Sequence, residues 1–246
     1  MKDKILSLGY PLSEVNELLK VSKNIEKDYE LLKNNYPIQY LIGYVNFYGY
    51  KILVNNSVLI PRFETEFLVE KTIKYAKNIF TKKIDILDLG TGSGCISIAL
   101  AKSLECNVTA IDISNEALDL ASINSKNNDT NIKFIKNNML ENHKTKYDLV
   151  ISNPPYISKN EKIMESVDKY EPHIALYAEN DGLYFYEEIL KNISNNLNDR
   201  FLISFEIGYT QASQIVKMIH KYLKDVKVFV EKDLSNKDRY IFIKNE

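Results

Sequence analysis

The spacing of apolar residues along this chain changes character at residue 84. Before it, helical spacing dominates: Leu12, Val15, Leu18 and Leu19 behind Ser13 as N-cap, then Ile25, Tyr29 and Leu32, with Pro37 closing the region. Between Tyr36 and Pro61 the run Phe47-Tyr-Gly-Tyr-Lys-Ile-Leu-Val54 alternates instead. Gly49 divides its two β-rich halves, and Tyr50, Ile52 and Val54 share one face, which predicts a hairpin. A helix follows from Glu64, carrying Leu68, Tyr75 and Ile79 at spacings of seven and four, and runs into Thr81-Lys-Lys83.

From Ile84 short strand-forming runs alternate with longer helical ones. Strands are predicted over 84–89, 107–112, 131–136, 147–152, 200–206, 226–231 and 239–244, and helices over 95–104, 114–127, 183–197 and 210–223. Such alternation dictates an α/β fold, a mainly parallel seven-stranded sheet with helices on both faces. The last two strands lie only eight residues apart. That is too short for a helical crossover, so they form an antiparallel hairpin. The chain divides into a short helical N-terminal region (1–36), a β-hairpin and linker helix (37–83) and an α/β domain (84–246).

Composition narrows the class. The 246 residues are 45% apolar and 26% charged, and 32 Lys and Arg nearly balance 33 Asp and Glu, giving a formal net charge of −1. With its lysines dispersed among acids, the chain lacks the clustered cations that hold a phosphate backbone, so neither DNA nor a membrane surface is an expected partner. Cys95 and Cys106 make no metal or disulfide spacing. No metal site is expected. The N-terminus has no signal-like apolar stretch and no window nears 18 continuous apolar residues. A cytoplasmic protein is expected.

Candidate chemistry begins at Asp85-Ile-Leu-Asp-Leu-Gly-Thr-Gly-Ser-Gly-Cys95, where Gly90, Gly92 and Gly94 fall at a strand-to-helix turn. Only a backbone without Cβ both bends there and lets a ligand reach its N–H groups. The dinucleotide fingerprint needs glycine at position 95, which is Cys95, and the phosphate loop of nucleotide hydrolases needs a Gly-Lys-Ser/Thr that is absent. Asp112 ends the next strand 22 residues after Gly90. A carboxylate there accepts both hydroxyls of a ribose, so the implied group is an adenosine. The turn after Asp88 resembles motif I of class I S-adenosylmethionine-dependent methyltransferases. This resemblance implies S-adenosyl-L-methionine as cofactor, S-adenosyl-L-homocysteine as product, and Asp88 facing the methionine ammonium or a water beside it.

The fourth predicted strand ends in Val150-Ile-Ser-Asn-Pro-Pro-Tyr-Ile157, at the edge where open α/β sheets bind ligands. Two prolines fix φ and hold the backbone extended, so Asn153 Oδ1 and the Pro154 carbonyl stand as adjacent acceptors able to grip one NH2 group. An amide nitrogen is a poor nucleophile because its lone pair is delocalised. Holding both its hydrogens aims it at a methyl donor, while Tyr156 forms a flat wall.

The tetrapeptide resembles the [Asp/Asn]-Pro-Pro-[Tyr/Phe] motif shared by DNA adenine and protein glutamine methyltransferases. Val58-Leu-Ile-Pro-Arg-Phe-Glu-Thr-Glu66, Asp88 to Gly94, Val108-Thr-Ala-Ile-Asp-Ile-Ser114, Ser152 to Ile157, Tyr170-Glu-Pro172, Asp181-Gly-Leu183, Phe205-Glu-Ile-Gly208 and Lys232-Asp-Leu234 through Arg239 are similar, in order, to peptide chain release factor N5-glutamine methyltransferases. The likeness spans about residues 36–246. It implies a Rossmann-like class I methyltransferase domain that methylates the glutamine amide of the Gly-Gly-Gln tip of class I release factors. By position, Asp88, Gly90, Thr91, Gly92, Ser93, Gly94 and Asp112 bind the cofactor, with Asn138 and Met139 flanking the adenine. Asn153, Pro154, Pro155 and Tyr156 are catalytic and hold the substrate amide, Asn153 also lying close to the methyl donor. Arg62 and Glu64 sit at the substrate end.

The chain departs from the family at Phe63, where proline is usual, at Ala178-Glu179-Asn180, a less glycine-rich turn, and in a shorter helical N-terminal part, which implies a reduced docking surface. It is expected to act as a monomer. His143, His173 and His220 are scattered and read as surface or structural residues. Glu206 either approaches the substrate channel or caps local backbone. The aromatic run from Tyr36 to Tyr50 reads mostly as core and hairpin packing. Two other readings stand beside this one: a nucleic-acid adenine methyltransferase, which needs a basic face, and a non-catalytic adenosine-binding module, which has no use for paired acceptors at Asn153.

Overall fold

A computed structural model describes residues 1–141 and 145–245. His143 lies outside the described residues. Four helices open the chain: α1 (Lys2–Leu6), α2 (Leu12–Val21), α3 (Ile25–Lys33) and α4 (Ile38–Ile42). Ile5, Val15, Leu18, Leu32, Ile38 and Ile42 bury one another in a small core of their own. The helix at Leu12 starts directly after Pro11, so Ser13 falls inside its first turn and does not cap it. Asn24 is the working cap, its side chain accepting from the Lys27 N–H at 3.0 Å. Pro37 precedes α4 instead of closing the helical region, and left-handed Gly43 (φ +83°) ends that helix. At five residues each, α1 and α4 are too short to show a period.

The hairpin pairs β1 (Tyr44–Phe47) with β2 (Tyr50–Leu53). Tyr48 and Gly49 turn it with φ of +50° and +82°, the sign a type I′ turn requires at both central positions. Helix α5 (Phe63–Ile79) then lays Thr65, Leu68, Val69, Thr72, Ile73, Ala76 and Ile79, one helical face, against the main sheet.

The remaining elements are β3 (Ile84–Leu89), α6 (Cys95–Ser103), β4 (Cys106–Asp112), α7 (Asn115–Asn127), β5 (Ile132–Lys136), β6 (Tyr147–Ser152), β7 (Ile157–Ser158), α8 (Glu165–Tyr170), β8 (Tyr177–Ala178), α9 (Tyr184–Asn192), β9 (Leu197–Glu206), α10 (Ala212–Tyr222), β10 (Val226–Lys232) and β11 (Asp238–Asn245). The predicted helix over 183–197 stops at Asn192, and a 3-10 turn (Ile193–Asn196) leads into a strand that begins earlier than expected. Seven strands form one sheet in the order β10-β11-β9-β6-β3-β4-β5, with β7 and β8 a separate two-residue ladder. Strands β5, β4, β3, β6 and β9 run parallel, and β11 is antiparallel to both neighbours, as the short final connection requires.

Alternation along the strands fills both faces. Ile86, Leu149, Ile151, Leu202 and Phe242 join α5 and α6 in one core, while Leu87, Val150, Ile203, Ile241 and Ile243 join α9 and α10 in the other. The chain winds outward from β3 to β5, then returns to lay β6 on the opposite side of β3. That reversal is the switch point at which open α/β sheets bind ligands. Leu89 pairs with Ser152, so the segments starting at Gly90 and Asn153 leave neighbouring strands at the same level.

Candidate active site

The glycine turn leaves β3 with Gly90, Gly92 and Gly94 at φ of +73°, +54° and +81°. At Gly90 the requirement is also steric, because a Cβ there would lie 2.8 Å from Met139 Cε. The main-chain N–H groups of Gly90 and Thr91 both donate to the Ile111 carbonyl, at 3.0 and 2.9 Å, fixing the turn against the end of β4. Asp112, closing β4, accepts the Gly92 N–H at 2.8 Å and the Ser114 N–H at 3.0 Å through its two oxygens.

Beneath the turn, Asp88 is fully buried. Its Oδ2 accepts from the Thr91 hydroxyl at 2.7 Å and the Ser97 hydroxyl at 2.6 Å, while Oδ1 has no hydrogen-bond partner among the described residues. Burial pushes this carboxyl up to about 6, and the two hydroxyl donors oppose the shift. A cavity of about 350 Å³ opens beside the turn, lined by Gly90 to Ser93, Asp112, Asn138, Met139, Asn153, Pro155 and Arg62 among others. A sulfonium nucleoside fits this site: the lining offers open space at Gly92, a carboxylate at Asp112 and an apolar flank at Met139, and Asp88, beneath the turn and outside the lining, holds a buried acceptor with no partner among the described residues.

On the other side of the cavity, Asn153 follows β6. Its Nδ2 donates to Thr65 Oγ1 at 3.2 Å, and Thr65 donates to Glu206 Oε2 at 2.7 Å. Pro154 and Pro155 are buried, and the Tyr156 carbonyl accepts from Gln211 Nε2 at 2.9 Å. Burial pushes the Tyr156 phenol above its ordinary value. Glu206 is 1% exposed at the end of β9, and burial pushes it up to about 7; Thr65, Arg239 and Asn153 pull it back and Glu64 adds to the rise.

Arg62 lines the cavity and is held by buried Glu171, whose Oε1 accepts from Arg62 Nη2 at 2.5 Å and whose Oε2 accepts the Ile60 N–H at 3.1 Å. Glu64 is exposed on the first turn of α5 and does not line the cavity. Phe63 is 60% exposed and meets Phe67 edge-on at 5.0 Å. In the 178–182 turn, Asn180 and Asp181 take the positive φ (+55° and +51°) that glycine would otherwise supply, which side chains able to bond their own backbone tolerate. His173 and His220 are exposed and neither lines the cavity, although Pro172 and Ile174 on either side of His173 do.

Three residues that stitch the site together carry no role in the sequence reading. Glu171 anchors the linker, Thr65 joins Asn153 to Glu206, and buried Asn124 on α7 binds both the Leu53 backbone, at 2.7 and 3.0 Å, and the Ser93 carbonyl, at 2.9 Å. Asn124 ties the hairpin to the glycine turn. Its one local signal is a polar residue on the helix face of Leu120 and Ala121.

Residues 64–170 match the Methyltransferase small domain family. The release factor glutamine methyltransferase of Lactococcus lactis subsp. lactis (strain IL1403) is 39% identical over 247 residues, covering 99% of this chain and 86% of that protein. That of Bacillus subtilis (strain 168) is 38% identical over 249 residues, covering 98% and 85%. The fold recurs in the crystal structure of ribosomal protein L11 methylase from Lactobacillus delbrueckii subsp. bulgaricus, at a TM-score of 0.57 and 20% identity over 78% of this chain and 83% of that one. Among the described residues, no helix is long and apolar enough to cross a membrane.

Proposed function

The chain belongs to the release factor glutamine methyltransferase family, and from that premise we propose that it methylates N5 of the glutamine in the Gly-Gly-Gln tip of class I release factors, using S-adenosylmethionine. The observation that carries this reading is the Leu89–Ser152 register, which opens the glycine turn and the Asn-Pro-Pro-Tyr loop onto one cavity. When bound, S-adenosylmethionine supplies a methyl group activated by its sulfonium.

The chain's own residues bind and orient. Asp112 takes the ribose hydroxyls, Gly90 to Gly94 lie along the cofactor, and Asn138 and Met139 flank the adenine. Asp88 Oδ1 offers an acceptor to the ammonium or an intervening water. Asn153 Oδ1 and the Pro154 carbonyl hold the two hydrogens of the glutamine NH2, which turns the nitrogen lone pair toward the methyl. Pro155 fixes the loop, and Tyr156 supplies the wall against which the planar amide lies. Arg62, clamped by Glu171, shapes the substrate entrance, and Glu64 meets the approaching protein outside the cavity. As the nitrogen lone pair forms the new C–N bond, the methyl–sulfur bond would break, leaving S-adenosylhomocysteine as a neutral thioether; the two carbonyl acceptors orient the N–H bonds, and the proton lost from the methylated nitrogen would pass to solvent water.

In this reading residues 84–246 are the catalytic domain, while 1–36 and 37–83 form the substrate side. The enzyme works in the cytoplasm as a monomer and does not bind DNA, since the −1 net charge leaves few cations to displace counterions. Incubation with labelled S-adenosylmethionine and, separately, a release factor, duplex DNA and ribosomes tests it. Label is expected on the release factor glutamine; adenine methylation of the duplex would overturn the reading.

A further inference from the structure

An amide side chain has two ends of nearly the same shape and opposite hydrogen-bonding character. The grip proposed for Asn153 works in one orientation. With its carbonyl toward the substrate it accepts from the glutamine NH2; turned over, it would set two donors against each other. Something in the fold has to choose between these orientations, and the surroundings of Asn153 supply it.

Ser152 pairs with Phe205 across β6 and β9, so the next residues, Asn153 and Glu206, leave adjacent strands side by side. Thr65 reaches both from the buried face of α5. Its single hydroxyl hydrogen is committed to Glu206 Oε2 at 2.7 Å, which leaves its lone pair for the Asn153 Nδ2 at 3.2 Å. Glu206, buried at 1% exposure, has no bulk water with which to satisfy any other arrangement. A turned-over Asn153 would set its carbonyl against the oxygens of Thr65 and Glu206 and lose both bonds.

We infer that Thr65 and Glu206 are positioning residues that lock the Asn153 amide with its carbonyl toward the substrate. The inference rests on the proposed role of Asn153. The chain of polarity runs one way: an ionised Glu206 accepts only, so Thr65 donates to it, so Asn153 donates to Thr65. Protonation of Glu206 releases the lock, because a carboxylic acid can itself donate toward Thr65 or Asn153. Its ionisation is set by every element around it: Arg239 and Tyr240 from β11, Glu64 from α5 and Tyr156 from the loop, with the Tyr186 hydroxyl of α9 donating to the Glu206 backbone carbonyl at 2.7 Å.

Thr65→Val and Thr65→Ser, each alone and combined with Asn153→Ala, test this in the full-length enzyme. Thr65→Val should lower kcat about tenfold, the worth of one hydrogen bond, with S-adenosylmethionine affinity kept within about twofold. Thr65→Ser should recover most of the loss. Added to Asn153→Ala, Thr65→Val should change kcat by no more than about twofold, since it acts through a side chain already gone. Wild-type kcat should fall on the acid side as Glu206 takes up its proton, and that limb should vanish in Asn153→Ala. Equal losses in both backgrounds, or serine no better than valine, would overturn the inference.

Should the wild type leave release factor glutamine unmethylated, the reading of Asn153 fails and a second measurement decides the lock by itself. In ¹⁵N spectra the Asn153 side-chain NH2, identified by its loss in Asn153→Ala, should exchange slowly, shift with the titration of Glu206 and lose both properties in Thr65→Val. A fast-exchanging pair that does not follow pH sinks the inference.

Discussion

The ends of β3 and β9 each bury a carboxylate beside the same cavity, but they are built from different distances along the chain. Asp88 takes its hydroxyl partners from Thr91 and Ser97, three and nine residues on, within one strand–turn–helix segment. Glu206 takes its partner from Thr65, 141 residues away, and feels Arg239 from the neighbouring antiparallel strand β11. The carboxylate under the glycine turn is therefore a local construction, complete within β3, the turn and α6, with the neighbouring strand β4 holding the turn in place. The acceptor side exists only when α5, β6, β9 and β11 have all assembled. Disturbing the acceptor side should accordingly cost turnover while sparing cofactor affinity, and disturbing the glycine turn should cost affinity first.

The largest effect expected is at Asn153. Removing one of the two acceptors that hold the reacting nitrogen should lower turnover by roughly 10²–10³, by analogy with loss of one preorganised group at a reacting centre. Asn153→Asp keeps an acceptor of the same shape and should retain more activity than alanine. Were the residue a general base, the carboxylate would raise the rate and add a second acidic limb beside the one expected from Glu206. Mass spectrometry of a Gly-Gly-Gln peptide over time and pH separates these outcomes, and wild-type turnover in Asn153→Ala would remove the loop from the chemistry.

Gly182 probes the acceptor side from behind. At φ +81°, a Cβ would lie 2.0 Å from the Tyr156 carbonyl and 2.4 Å from Gln211 Nε2, so alanine must push the Asn-Pro-Pro-Tyr loop off its tether. Gly182→Ala should destabilise the fold by roughly 2–4 kcal/mol from overpacking and left-handed strain. Turnover should collapse while cofactor affinity in the folded fraction stays within about threefold. An equal loss of affinity, measured by calorimetry, would show that the two sides are not separable.

Asp112→Ala is the converse. Loss of a ribose-gripping carboxylate should weaken S-adenosylmethionine by about 1.5–3 kcal/mol. Asp112 also holds the Gly92 N–H, so the turn should loosen with it. Unchanged affinity in a folded variant would take Asp112 out of the site.

The same contrast decides what could be read from the sequence. Strands rich in Ile and Val with a period of two, and helices between them, announce the sheet because each element's partners are dictated by its own pattern. The glycine turn is legible for the same reason, its geometry written within a few residues, and Asp112 is legible because it ends the very next strand, 22 residues after Gly90. Thr65, Glu171 and Asn124 are not, since a buried polar residue carries no local mark of a partner 71 to 141 residues distant. Ser13 misled for the opposite reason: a good local cap lost to Pro11, which fixes the start of α2 two residues earlier.

The smallest effect expected is on stability, and it separates the two carboxylates by pH. Each has a folded-state pKa raised by burial, Asp88 from 3.8 to about 6 and Glu206 from 4.5 to about 7. A raised carboxyl binds its proton more tightly folded than unfolded. Its stabilising contribution is complete below the unfolded value and is lost as pH climbs through the folded one. In the cofactor-free protein, Asp88 should have given up its share by about pH 6, whereas Glu206 goes on losing stability up to about pH 7. Glu206→Gln cannot ionise, so relative to wild type it should gain roughly 1–2 kcal/mol between pH 5 and 8, or a few degrees in Tm. Most of the part gained above pH 6 should be absent from Asp88→Asn. Thermal unfolding of both variants at half-unit steps from pH 5 to 8 measures the offset between the two curves. Coincident curves would mean that Arg239 and Thr65 hold Glu206 ionised as readily as Ser97 and Thr91 hold Asp88, and that the two strand ends differ in assembly but not in electrostatics.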